Sequence, residues 1–255
     1  MEVEVKLRLS NSTAHQSVSS VLSPFLQQTH FQHNIFFDGA ASELSSCRAV
    51  LRLRFYGEDP QTAERCVLSL KAKAVLENGV SRVEEDEEDL DPFLGREIWA
   101  NPNLIRSTES RVLKRVREEF NVKEESGYVC LGGFKNVRGV YGWKGLKLEL
   151  DETLFDFGTL YEIECESSEP DKAKEMIEEL LKDNGISYSC STLSKFAIFR
   201  SGELPLSLVK LACYRTSRVA VWLLQPMLLS VQKAFTKSLM CSSPFFKKRK
   251  TARNS

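Results

Sequence analysis

The strongest constraint on this chain is an alternation that begins at its second residue. In "MEVEVKLRL", Val3, Val5, Leu7 and Leu9 are apolar, and Glu2, Glu4, Lys6 and Arg8 between them are ionisable. Side chains at i, i+2 and i+4 of a strand share a face, so this segment reads as a strand with one apolar and one charged side. The pattern recurs. "LRLRF" (51–55) sets Arg52 and Arg54 against Leu51, Leu53 and Phe55, and "VLSLKAKA" (67–74) ends with Lys71 and Lys73 in phase. "LKLELDE" (146–152) sets Lys147, Glu149 and Asp151 against three leucines, and "YEIECE" (161–166) sets Glu162, Glu164 and Glu166 against Tyr161, Ile163 and Cys165. A chain patterned this way folds as antiparallel sheet with one buried face.

"FFD" (36–38), "SRVEEDEE" (81–88) and "GGFKNVRGVYGW" (132–143) complete a set of about eight strands, the acidic one with ambiguous phase. Asn78-Gly79 marks a hairpin turn between two of them. Helices fall between strands. Asn11 or Ser12 caps a segment carrying Val18, Val21, Leu22, Phe25 and Leu26, which Pro24 bends or ends. "TESRVLKRVREEF" (108–120) places Val112, Leu113, Val116 and Phe120 on one stripe. Pro170 suits the first position of a helix with Ala173, Met176, Ile177, Leu180 and Leu181 on one side, and Asn184-Gly185 ends it.

The amphipathic helices need an apolar sheet surface, and each strand offers one apolar face. If helices cover that face, the charged face turns away from them, which in a closed barrel means into the lumen. A sandwich with its charged face in solvent is the plain alternative. Two features favour the lumen. The ionisable residues keep strict register without the Ser, Thr, Gln and Asn that a wet face usually mixes in. Acids also cluster on some strands and bases on others, which is unfavourable unless something of opposite charge binds between them. Buried unpaired ions cost several kcal/mol each, so such a lumen implies a complementary ligand. Carboxylates suit hard divalent cations such as Mg²⁺ or Mn²⁺, and Lys and Arg suit phosphate oxygens.

Charge divides the chain. All ten Lys and Arg from Pro205 onward stand without an acid, so residues 1–204 carry 25 bases against 35 acids. This predicts an acidic domain over 1–204 and a basic extension over 205–255, poorly ordered or docked as a short helix. "KKRK" (247–250) fits a nuclear-localisation signal, a nucleic-acid patch or a merely basic end. The longest apolar stretch, "VAVWLLQPMLLSV" (219–231), has 13 residues and a proline. That is short of the roughly 20 needed to span a bilayer. Seven scattered cysteines without a C-x-x-C pair read as reduced thiols, and charge at position 2 speaks against a secretory signal. Location is therefore expected to be cytoplasmic, with the nucleus open through the basic tail. His30 and His33 have no cysteine partner at finger-like spacing, so a zinc site is not supported.

With these residues in view, "EVEVK" (Glu2, Glu4, Lys6) resembles the E-x-E-x-K signature of the triphosphate tunnel metalloenzymes, or CYTH group. "RLR", "LKAK", "LKLELDE", "YEIECE" and "SKFAIF" follow in the family's order across residues 1–204. The chain most resembles plant members that hydrolyse inorganic tripolyphosphate. The resemblance implies an α+β fold, a closed eight-stranded antiparallel β-barrel with amphipathic helices packed outside. It implies Mg²⁺- or Mn²⁺-dependent cleavage of a triphosphate. By motif position it makes Glu2, Glu4, Glu149, Glu162 and Glu164 metal ligands. Glu85 joins them from the acidic strand, with Glu87 its in-phase neighbour; "EEDEEDLD" (84–91) otherwise reads as a solvated loop. Lys6, Arg52, Arg54, Lys71, Lys73, Arg138 and Lys195 become phosphate binders, and Glu2, Glu4 and Lys6 the catalytic core. Lys147 and Asp151 rest on phase alone.

No G-x-x-x-x-G-K-[ST] occurs, so a P-loop route is unsupported, and no nucleophilic Ser or Cys motif is present, which favours direct attack by water. Thiamine triphosphatase, adenylate cyclase and RNA-capping triphosphatase activities stay open within the family. A non-catalytic polyphosphate-binding module is the alternative of another class. The expected partner is a small polyanion, tripolyphosphate, acting on a monomer, with no nucleic acid needed and no transmembrane segment.

Overall fold

The computed structural model describes residues 1–205 other than 121 and 123–126. The basic extension, with its KKRK run and its candidate docking helix, lies outside the described residues.

In chain order the elements are β1 (Glu2–Leu9), α1 (Ser12–Leu22), β2 (Leu26–Gly39), α2 (Glu43–Ser46), β3 (Val50–Tyr56), β4 (Arg65–Glu77), β5 (Val80–Leu90), α3 (Pro92–Ala100), α4 (Arg111–Glu119), β6 (Tyr128–Trp143), β7 (Leu146–Phe155), β8 (Gly158–Glu166), α5 (Pro170–Asp183), β9 (Tyr188–Cys190) and α6 (Lys195–Ser201). The sheet runs β5-β4-β3-β2-β6-β7-β8-β1, and β5 also pairs with β1, so eight antiparallel strands close into a barrel. Closure divides the free edge of β1. Glu2–Val5 pair with β5 and Leu7–Leu9 pair with the short β9, while Glu4–Leu9 pair with β8 along the opposite edge. Lys6 sits at the hand-over: its N–H donates to the Gly79 carbonyl (2.7 Å) and its carbonyl accepts from Ser191 N–H (3.1 Å).

The apolar faces of the strands point outward and are covered by helices. Leu51, Leu53 and Phe55 of β3 pack with Leu68 and Leu70 of β4 against Ile98 of α3 and Val112, Leu113 and Val116 of α4. Around the barrel, Val5, Leu7 and Leu9 pack with Leu148, Leu150 and Ile163 against Val18 and Leu22 of α1 and Ala173, Ile177 and Leu181 of α5. Burying each such side chain contributes roughly 1.5–3 kcal/mol, which fixes the register of every strand and so the direction of its charged face.

Caps set the helix starts. Asn11 Oδ1 accepts from Ala14 N–H at 2.9 Å and Ser110 Oγ from Leu113 N–H at 3.0 Å. Pro170 opens α5, and Pro24 lies in a 3-10 turn (Ser23–Phe25) that stops α1. Asn78 and Gly79 both take positive φ, 49° and 77°, as a two-residue hairpin turn requires.

Three expectations change. The strand expected at 36–38 is the end of the 14-residue β2, whose first six residues are mostly exposed. The acidic run is not a solvated loop. Residues 84–90 are strand; Glu85 and Glu87 face the lumen, and Glu84, Asp86 and Glu88 face α4, where Arg115, Arg111 and the α4 N-terminal N–H groups of Arg111 and Val112 meet them. Asp91, at its end, caps α3 by accepting from Phe93 and Leu94 N–H. Lys73 leaves the lumen because a bulge between Ala72 and Val75 resets the phase of β4. It takes φ 53°, and its ammonium pairs with Glu84 at 2.9 Å on the outside. No helix among the described residues is long and apolar enough to cross a membrane.

Candidate active site

The lumen is a cavity of about 600 Å³. Glu2, Glu4 and Lys6 of β1, Arg52 and Arg54 of β3, Lys71 of β4, Glu85 and Glu87 of β5, Arg138 of β6, Lys147 and Glu149 of β7, Glu164 of β8 and Lys195 of α6 all line it. Residues from opposite ends of the chain therefore converge on one bore, as the alternation predicts.

One wall is a dense ion-pair lattice. Registers across β6–β7–β8–β1 place Arg138 beside Asp151, Glu149 beside Glu164 and Glu164 beside Lys6. Lys6 Nζ lies 2.5 Å from Glu4 and 2.8 Å from Glu164. Arg138 grips Asp151 through Nε (2.7 Å) and Nη2 (2.6 Å), reaches Glu164 at 2.7 Å, and pairs with Glu149. Ser194 caps α6 by accepting from Ala197 N–H, which aims the next residue, Lys195, at Asp151 and Glu164, 2.6 Å from each.

Glu162 is the exception among the expected metal ligands. It is buried beside the cavity, not on its lining, where Arg8 (3.1 Å), Lys195 (3.3 Å) and the Ser191 hydroxyl (2.5 Å) occupy it. Asp151 is likewise fully buried, and Asn136 Nδ2 donates to it at 2.9 Å. Its role in the structure is to hold Arg138 and Lys195.

Charge regulation follows from this packing. Burial opposes the charge on Glu164, yet Lys195, Lys6 and Arg138 hold its carboxyl well below the usual range; Asp151 is lowered against burial by Arg138 and Lys195. Glu4 goes the other way. Burial and the nearby Glu164 push it up to about 7, more than Lys6 and Lys71 can offset. Glu4, Glu149 and Glu164 each offer an oxygen within 4.8 Å of the others, a hard-donor set of the kind that divalent cations take. A cation there reverses the sign of the Glu4 shift, so the residues present fit such an ion.

The facing wall is basic and less fully paired. Lys71 bridges Glu2 (2.8 Å) and Glu85 (3.1 Å), and Arg52 reaches Glu85 at 3.5 Å. Arg54 Nε donates to the Asn34 amide oxygen at 2.8 Å, not to a carboxylate. Burial and the adjacent Arg54 lower Arg52 to about 10, a shift that an anion reverses. Arg52 Nε and Ser69 Oγ are buried without a hydrogen-bond partner, and the two residues oppose each other across β3–β4. Unsatisfied buried polar atoms of this kind call for an explanation, and an oxyanion supplies one.

Ser69, Asn34, Asn136, Phe36 and Phe134 were not singled out from the sequence, although the first four share the phase of a charged neighbour two residues away or directly across a ladder. The signal existed in the period of two; it carries no charge and so is easily passed over.

The CYTH domain family matches residues 1–196. Among solved structures, the chain is 53% identical to a candidate adenylyl cyclase from Hippeastrum that shows a dominant triphosphatase activity, with a TM-score of 0.76 over 80% of this chain and 98% of that one. It shares its fold with a candidate adenylate cyclase from Bacillus halodurans at 20% identity, TM-score 0.58, covering 78% of this chain and 96% of that one. It also shares its fold with a Pyrococcus horikoshii protein at 19% identity, TM-score 0.51, covering 78% and 99%. No match to a curated protein was found. With an eight-stranded closed barrel, a charged bore and a family match over three quarters of its length, this chain belongs to the CYTH family of triphosphate tunnel folds.

Proposed function

We propose that this chain hydrolyses a triphosphate inside the barrel, with inorganic tripolyphosphate as substrate and pyrophosphate and phosphate as products. The observation that carries the reading is the division of the bore into an acid cluster (Glu4, Glu149, Glu164) and a basic wall on which Arg52 and Lys71 share Glu85 and Arg54 bonds an amide, not a carboxylate. The triphosphatase activity of the Hippeastrum protein supports it. A purely anion-binding module gains nothing from three converging carboxylates.

Glu4, Glu149 and Glu164 are the residues that would hold Mg²⁺ or Mn²⁺, with Glu2 and Glu85 beside them; the bound ion supplies Lewis-acid polarisation of phosphoryl oxygens. Arg52, Arg54 and Lys71 hold the phosphates from the facing wall and meet charge that grows on the transferring group. Lys6, Arg138 and Lys195 hold Glu164 ionised and the acid cluster in place, and become available to phosphate oxygens as the lattice rearranges.

A second reading has its own support. Phe36, Phe134 and Phe196 line one stretch of the cavity, and the Phe36 ring packs on both others, with centroids 5.3 Å from Phe134 and 4.8 Å from Phe196. Such a wall suits the organic part of thiamine triphosphate or ATP. Phosphate release from tripolyphosphate, thiamine triphosphate and ATP, each with Mg²⁺, Mn²⁺ or chelator, decides between the readings. No metal-dependent release from any of the three defeats both.

A further inference from the structure

The short helix α2 ends in a hydrogen-bonding pattern that prescribes a left-handed residue. Arg48 N–H donates to the Ser45 carbonyl (3.0 Å) and Ala49 N–H to the Leu44 carbonyl (2.9 Å), the paired bonds of a Schellman motif, with buried Leu44 and Ala49 in the same core. The residue between, Arg48, takes φ 54°. Glycine is the usual occupant there because it has no Cβ to strain the left-handed conformation. This chain places an arginine instead.

The side chain accounts for the choice. Arg48 is exposed and lines the cavity, in phase with Val50, Arg52 and Arg54, so it extends the β3 row of guanidinium groups to the lip of the bore. Arg52 and Lys71 share Glu85, whereas no carboxylate among the described residues lies within ion-pairing distance of Arg48. We infer that Arg48 is a substrate-capture residue: a cation at the mouth, unpaired among the described residues, that draws the polyphosphate anion in and holds its trailing phosphate. This rests on the triphosphatase reading and adds to it a residue that the motif does not contain. A charged lip of this kind raises the association rate of an oppositely charged ligand, and salt screens the effect.

The test is Arg48→Gly, with Arg48→Lys as a charge-retaining control. Both are compared with the native chain by thermal unfolding, by calorimetric binding of tripolyphosphate with Mg²⁺, and by steady-state hydrolysis at 50 and 500 mM salt. The glycine variant is expected to gain about 2–4 °C in Tm as strain is relieved, and to lose about 3- to 10-fold in affinity and in kcat/KM at low salt. The loss falls on KM, not kcat, shrinks at high salt, and is partly restored by lysine. A more stable glycine variant with native affinity and KM at low salt overturns the inference, as does a loss confined to kcat. If the native chain binds tripolyphosphate without turning it over, the triphosphatase reading fails while the binding arm still judges Arg48. If it does not bind, both fail.

Discussion

Lys6 and Glu164 oppose each other across the β1–β8 ladder, Nζ to Oε1 at 2.8 Å, so the first strand is joined to the last of the barrel by an ion pair inside the bore. The pair also shares Glu4, 2.5 Å from the same ammonium. Lys6→Met leaves two buried carboxylates without that cation. Loss of one member of a buried pair is expected to cost about 3–5 kcal/mol. Urea unfolding should show this loss, and added Mn²⁺ should recover part of it. A variant as stable as the native chain would mean the pair is not a structural element.

Glu4 gives a pH signature. Its carboxyl is raised from the ordinary 4.5 to about 7 by burial and by Glu164. A group with a raised folded-state pKa contributes stability that is fully present below the unfolded value and is lost as pH climbs through the folded one. Glu4→Gln mimics the protonated form at every pH. The stability of the native chain relative to this variant should therefore fall between pH 4.5 and 8, by about 1–3 kcal/mol without metal. Mn²⁺ should raise the native Tm more at pH 8 than at pH 6 and leave the variant nearly unmoved.

Acid acts on the opposite set. Asp151 and Glu164 are held below their ordinary ranges by Arg138, Lys195 and Lys6, so their contribution is present above the unfolded values near 3.8 and 4.5 and is lost as pH falls through the folded values. Circular dichroism should show the barrel intact at pH 5 and unfolding only well below pH 4. Arg138→Met should move that transition upward.

Arg52 is the cation with an orphaned Nε and a lowered pKa. Arg52→Lys keeps the charge and removes the fork that two oxygens can share. Tripolyphosphate KM is expected to rise about tenfold, equivalent to about 1.4 kcal/mol. Ser69→Ala, removing the neighbouring orphan hydroxyl, should raise it about threefold, or about 0.7 kcal/mol. Unchanged KM in both would remove the basic wall from substrate binding.

Gly133 tests the barrel apart from the chemistry. A Cβ at this position collides with the Asn34 carbonyl oxygen, which no side-chain adjustment relieves because the atom is backbone. Gly133→Ala should part β2 from β6 and cost more than about 3 kcal/mol, read as loss of soluble folded protein or a large fall in Tm.

Much of this was legible in the residues. The apolar partners of β1, β3, β7 and β8 fix which side is wet, and α1, α4 and α5 announce themselves by caps and stripes. What escaped has physical causes. The start of β2, "QQTH" (27–30), is polar on both faces and pairs with β6 alone, so hydrophobic period has little to report. α3 and α6 carry their signals in Asp91-Pro92 and Ser194, short caps without a long stripe. Lys73 departs from the period because a bulge is one extra residue of backbone, and no side-chain pattern records where it falls. Glu162 has the motif's phase but lies off the cavity lining, where Arg8, Ser191 and Lys195 take it up. The phase of β5 became readable only once both β1 and β4 lay beside it.

The shared edge of β1 bears on how the molecule is made. Glu2–Leu9 leave the ribosome long before Gly158–Glu166 and Tyr188–Cys190, the segments that flank them in the finished sheet. Until those arrive, the Leu7–Leu9 end of this amphipathic ribbon has no partner on either edge. Pairing of such distant segments is intrinsically slow and exposed to aggregation. Refolding rate and yield, more than equilibrium stability, should therefore be the properties most sensitive to changes in Glu2–Leu9.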